Sequence, residues 1–398
     1  MSQNTNDSSK HKNMWLILIA TCLFTFMSTL DGSIVNIAMP TMSKSLSIGM
    51  NEAEWIVSVY MITICCLLIF WGRISDTVGK VKIFKIGTLI FILGSLFCGI
   101  SSTLEMLLIS RIIQATGASM TMATNYGIIT ENFPPDMRGR SLGVLGSFVS
   151  LGSIAGPGIG GIIIQRYTWH YIFLINIPIG IFAFILGYFV FPKSKKRDIP
   201  LKLDYLGFIL FDICIISLFM GIFIGQVIGF NKLSIIMLFL MALCSFIGFI
   251  FQEKRSNNPL IDLTIFNNKS FSVGLTCAVL IFSSNLFMNT LLPFYLQDTL
   301  KLSSLLSGFI LMCVPIAMVV VAPISGALSD KMGAEGLTFT GLLIVSISQL
   351  LFIFIGLKTT MAYLIFLTLL AGIGVALFQS PNNSIIMSSV EHNHLGIA

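Results

Sequence analysis

Few residues in this sequence can carry charge where charge is expensive, and they are the place to look for chemistry. Asp31 and Arg111 each fall inside a long apolar block, and Asp212 falls inside another. Asp31 lies nine residues before Pro40, so ~13 Å below the outer end of its helix at the rise of an α-helix. An ionised carboxylate at that depth costs at least ~2.5–3.5 kcal/mol, which suits a group that takes up and releases a proton. Arg111 lies six residues from Glu105, ~9 Å below the same surface, and is the expected partner of Asp31. A cation there favours the ionised carboxylate, burial opposes it, and a change of hydration between two conformations would load or release the proton. The alternative is a static ion pair that fixes helix packing. Asp212, ~12 Å from the inner end of its block, is expected to pack or snorkel.

The elements that position these residues follow from composition. Of 398 residues, 55% are hydrophobic and 10% are charged, with a mean hydropathy of +0.93. A soluble chain of this length needs more charge. The apolar residues form twelve continuous blocks between residues 14 and 383, each near the ~20 residues that cross a bilayer. Continuous blocks without alternation exclude a membrane β-barrel. With the N-terminus on the cytoplasmic side, seventeen Lys and Arg lie inside and five outside, which fixes the orientation. The basic run over residues 193–202 then faces lipid headgroups and not nucleic acid. The eight cysteines, Cys22, Cys65, Cys66, Cys98, Cys214, Cys244, Cys277 and Cys313, lie within spans and have no metal-ligand spacing.

A repeat organises the chain. Residues 72–79 and 326–333 both read G-x-[IL]-S-D-x-x-G, 254 positions apart, and Pro40 and Pro293 are 253 apart. The ninth span therefore repeats the first. With a six-helix unit, spans seven and eight are an inserted hairpin. The expected organisation is a disordered tail (1–13), an N-terminal lobe (14–191), a basic linker (192–204), the hairpin (205–251), a second linker (252–270) and a C-terminal lobe (271–398). That last lobe holds four helices, so the chain is expected to end two short of fourteen.

Five motifs carry a resemblance. Leu30-Asp31-Gly-Ser-Ile-Val-Asn36-Ile-Ala-Met-Pro40 resembles the first-helix signature of the fourteen-helix drug:proton antiporters of the major facilitator superfamily. The segment Gly72-Arg73-Ile-Ser-Asp76-Thr-Val-Gly79-Lys80 is similar to the superfamily's loop between helices two and three. Arg111-Ile-Ile-Gln114-Ala-Thr-Gly117 resembles the helix-four motif. Gly152, Gly156, Pro157, Gly160 and Gly161 stand as in the antiporter motif of helix five, and residues 169–180 are similar to the opening of helix six. Thr77 replaces a usual basic residue and Ala115 a usual glycine. The resemblance implies an all-α, two-lobed helix bundle that exports lipophilic drugs against protons, without cofactor or metal, in a bacterial cytoplasmic membrane. It also implies a protein that is not an enzyme and that works as a monomer.

Further roles are expected on this basis. Gly152, Gly156 and Gly160 form a smooth face for a rocking interface, and Pro157 invites a bend. Asp76, with Arg73 and Lys80, is placed to cap a helix of the other half and close the inner gate, and Asp330 is its repeat partner. Gln114, Met122 and Asn125 continue the Arg111 face at helical spacing. Met27, Asn36 and Tyr60 are further cavity candidates, as are Asn285 at the repeat position of Asp31, Asn289, Gln379 and Asn383. One cavity carboxylate with apolar walls suits monovalent lipophilic cations, zwitterions or neutral drugs. No phosphate-cradling loop is present for an ATP-driven pump. His170, His392 and His394 sit at span ends or in a loop and make a membrane enzyme a weak reading. A proton- or cation-coupled uptake carrier is the main rival, and a non-transporting truncated protein is the other.

Overall fold

A helix crossing hydrocarbon satisfies its own backbone hydrogen bonds. The computed structural model describes residues 3–192, 204–256 and 259–390, and all regular structure among them is helical. Twelve long helices follow in order: α1 (Gln3–Leu46), α2 (Met50–Val78), α3 (Lys80–Gly99), α4 (Leu104–Asn132), α5 (Arg138–Arg166), α6 (Tyr171–Val190, broken at Ile175), α7 (Tyr205–Ile228), α8 (Leu233–Arg255), α9 (Lys269–Phe294), α10 (Ser304–Met332), α11 (Ala334–Phe352) and α12 (Met361–Ser388). They correspond one to one with the twelve apolar blocks. Eleven are long and apolar enough to cross a membrane. The exception is α4, where Arg111, Gln114 and a run of hydroxyl residues lower the hydropathy. Helix α1 reaches back to Gln3, into the segment expected as a tail. The basic run over residues 193–202 and the two C-terminal histidines lie outside the described residues.

Local chemistry sets the helix ends. Asp204 accepts from the Gly207 N–H at 2.8 Å and caps α7, while Asn268, Ser303 and Thr360 cap α9, α10 and α12. Burial pushes the Asp204 carboxyl up, but hydrogen bonds from the Gly207 N–H, Gln252 and Ser256 outweigh it and hold its pKa below the usual carboxylate value. Gly79 and Gly333 end α2 and α10 with φ of 105° and 89°, a backbone that side chains rarely adopt.

The described chain divides into two compact units. One takes its described residues from Met1–Ile34, Ile129–Ile159 and Asn268–Glu391, the other from Val35–Ile128 and Gly160–Asn267. In the first, α12 packs on both α10 and α11, over apolar clusters that include Leu296, Leu364 and Leu367 and, separately, Val375 and Phe378. In the second, α3 packs on α6, the hairpin helices α7 and α8 pair with each other, and α7 also lies on α2.

Candidate functional site

In the first unit the centre of interest is α1. Asp31 is fully buried, as are Met27 and Leu30 on the same helix. Helix α5 presses on this stretch through its motif glycines. A Cβ on Gly152 would stand 2.8 Å from the Phe26 carbonyl and 2.9 Å from Thr29, and one on Gly156 would overlap the Ser33 hydroxyl. Ser33 donates to the Gly152 carbonyl at 3.1 Å. Glycine is required because the two backbones approach too closely for any side chain, and the crossing lies directly beside Asp31. Pro157 is inside α5, and Gly158 and Gly161 face open space.

The same helix α5 meets α10 nearer its start, through residues not singled out above. A Cβ on Gly139 would run into Ser329, Gly326 and Asp330, and one on Gly143 into the Ala322 carbonyl. Ser147 donates to the Val319 carbonyl at 3.0 Å. Gly139, Gly143 and Ser147 are spaced by four, the same small-residue periodicity that drew attention to Gly152 and Gly156. That spacing is the signal by which they could have been found.

At this end of the first unit, Asp330 takes the helix-capping contact. Its two carboxylate oxygens accept from the N–H groups of Gly139 and Arg140, each at 2.8 Å, at the start of α5. Ser380 of α12 donates to the Gly139 carbonyl at 2.9 Å, so α5, α10 and α12 are tied at one point. Ser380 had no distinguishing pattern in the sequence.

In the second unit Arg111 is 1% exposed and enclosed. Its Nε donates to the Ile56 carbonyl at 3.1 Å and an Nη to Gln114 at 2.7 Å. The guanidinium lies 4.0 Å from the Tyr60 ring centroid and 5.6 Å from that of Phe173. Gln114 in turn donates to Ser95 at 2.9 Å. Gly94 permits this, since a Cβ there would fall 2.5 Å from the Gln114 Cα. Tyr60, a cavity candidate of the sequence, stacks on the cation, and Phe173, Ile56 and Ser95 join a network of which only Arg111, Gln114 and Tyr60 were singled out in the sequence. Further along α4, Ala118 and Asn125 are buried and Met122 is exposed; Asn36 of α1 is exposed. The loop Asp76 binds Lys80 at 2.7 Å, with both side chains almost fully buried, and Arg73 and Gly72 stand just before it.

The polar residues of the second half of the chain meet differently. Asn289 donates to Asn285 at 3.2 Å. Both line a cavity of ≈ 20 Å³ with Ser284, Gln349 and Thr368, room for about one water and no more. Gln379 and Asn383 of α12 are half-buried, while Asn382 between them donates to the Gly274 carbonyl at 3.2 Å. All eight cysteines are free thiols, and no cluster of metal-ligating side chains occurs among the described residues.

Comparison with known proteins bears on this arrangement. Residues 21–398 match the family profile described as Major Facilitator Superfamily. The riboflavin transporter RibZ of Clostridioides difficile (strain 630) is 36% identical over 381 residues, 95% of this chain and 82% of the relative. The multidrug resistance protein Stp of Mycobacterium tuberculosis is 27% identical over 98% of this chain and 72% of its own length. Among solved structures, the proton:xylose symporter XylE superposes with a TM-score of 0.66 at 14% identity, over 98% of this chain and 85% of that one.

Proposed function

The chain belongs to the major facilitator superfamily, and from that premise we propose that it exports small lipophilic cations or zwitterions in exchange for protons by alternating access. The observation that carries this reading is Asp31, a fully buried carboxyl on α1 beside the glycine crossing with α5. A carboxyl there is the group through which the proposed carrier takes up and releases its proton, and the crossing gives α1 a smooth surface on which to move. Arg111, held in place by Tyr60, Phe173 and Gln114, is the proposed counter-charge. Protonation of Asp31 from outside releases the substrate, and loss of the proton inside resets the carrier. The Asp330 cap on α5 is the proposed inner latch, with the loop side cytoplasmic as the charge asymmetry of the sequence indicates. Relatives described as multidrug resistance proteins support export, as does the antiporter motif. The proposed place within the superfamily is its fourteen-helix branch, working as a monomer without cofactor.

Asp31→Asn is the test. It fixes the neutral form, so the variant is expected to lose substrate accumulation driven by a pH gradient in everted vesicles while keeping downhill exchange. Uphill transport equal to wild type sinks the coupling role.

A second reading rests on the 36% identity to a riboflavin transporter: carriage of a small polar metabolite inward. Counterflow measured in everted and right-side-out vesicles, with a drug panel and riboflavin as probes, separates the two.

A further inference from the structure

The inserted hairpin lies along α2 in antiparallel order. Trp55 packs on Phe223 with ring centroids 5.5 Å apart, the Cys66 thiol reaches the Asp212 carboxyl, and Phe70 stacks on Phe208 at 4.4 Å. Advancing eleven and then four residues along α2 moves back eleven and then four along α7. The three contacts therefore belong to one seam, ~22 Å long.

Asp212 lies half-buried within that seam. One of its oxygens, Oδ1, is buried and has no hydrogen-bond partner, and no lysine or arginine pairs with the carboxyl among the described residues. Its titratable neighbours on α2 are Cys65 and Cys66. Helix α8, which also packs on α7, carries Cys244 and, at its far end, Glu253, Lys254 and Arg255. Glu253 is engaged there by the Ile261 N–H, with Asp204 and Arg73 in electrostatic range. A residue kept for packing between aromatic pairs would be apolar. A carboxyl with a thiol for company and a vacant oxygen is costly unless it has a use.

We propose that Asp212 is a proton-binding site of the hairpin, separate from Asp31. The neutral acid fits the seam. Loss of its proton puts a carboxylate between two helices in hydrocarbon and loosens α7 from α2, the helix that runs into the loop over residues 72–80. The use of this site in transport rests on the reading above; proton binding itself does not.

Dicyclohexylcarbodiimide enters from the lipid and modifies protonated carboxyls, so it tests the site in membranes holding the full chain. Peptide mass spectrometry is expected to find Asp212 modified near neutral pH and progressively less as pH rises. Asp31→Asn should keep that adduct and Asp212→Asn should remove it. A cysteine at Thr77, near the end of α2, gives the second readout, labelled by a membrane-impermeant maleimide and referenced to a free thiol at each pH. Its labelling rate is expected to rise several-fold with pH in the otherwise native chain and in Asp31→Asn, and to stay flat in Asp212→Asn. An unmodified Asp212, or a pH profile that Asp212→Asn leaves intact, overturns the proposal. If both readouts behave as expected while uphill transport fails, the transport reading falls and the proton site stands.

Discussion

The two copies of the repeated loop share their turn hydrogen bonds and differ in what their aspartates hold. In the first, the Ser75 hydroxyl donates to the Gly72 carbonyl at 2.7 Å and the Gly79 N–H to the Ser75 carbonyl at 2.9 Å. In the second, Ser329 donates to Gly326 at 2.8 Å and Gly333 to Ser329 at 3.0 Å. Both close on a glycine with positive φ. The copies part at the position after that glycine, where the first has Lys80 and the second Ala334. Lys80 reaches back one turn and binds Asp76, whereas Asp330 has no lysine at that place and turns both oxygens to the start of α5. Asp76 is thus paired with a lysine one turn on, whereas Asp330 ties α10 to another helix.

Lys80→Ala should break this comparison most severely. It strands a buried carboxylate, with an expected loss of about 3 kcal/mol, read as a lower thermal midpoint of the solubilised protein. A loss under ~1 kcal/mol would mean that the Lys80 pair is not what neutralises Asp76. Gly79→Ala and Gly333→Ala come next, at about 2 kcal/mol each, because an L side chain is strained at both positions. The two losses should be equal within error, and a large difference would show that the loops share a sequence and not a backbone requirement. Asp330→Ala removes two charge-assisted caps, worth ~1–2 kcal/mol, or roughly a five- to thirty-fold shift in latch equilibrium. Maleimide labelling of a cysteine at Ser147, now covered by α10, should accelerate accordingly. The smallest effect is expected from Ala334→Lys, which gives Asp330 the cation that Asp76 already has. It should weaken the α5 cap by less than the alanine variant does, and unchanged labelling would show that a lysine there does not compete.

Much of this was legible in the residues themselves. Eleven of the twelve blocks became helices that hydropathy alone marks as spans, because hydrocarbon leaves the backbone no other partner; α4 is helical despite its polar residues. The repeat was legible because its glycines and serines act on their own loop, within one turn of chain. Gly152 and Gly156 were legible as a smooth face, but not the helix they face: spacing says that something approaches closely and not what. That it is α1 beside Asp31, while Gly139 and Gly143 meet α10, was decided by which helices fold together. Arg111 and Gln114 announced themselves as polar groups in an apolar block. Phe173 and Ser95, which help to hold them, looked like ordinary span residues, and Tyr60 stood out only as a cavity candidate, since a partner's role comes from where it lands. Asp76 and Asp330 show the limit most clearly. The sequence determined that both loops would turn alike, because the donors and acceptors of the turn are neighbours along the chain. Which aspartate would cap α5 required a helix start more than 190 residues away to arrive at one of them, and only the tertiary structure brings it there.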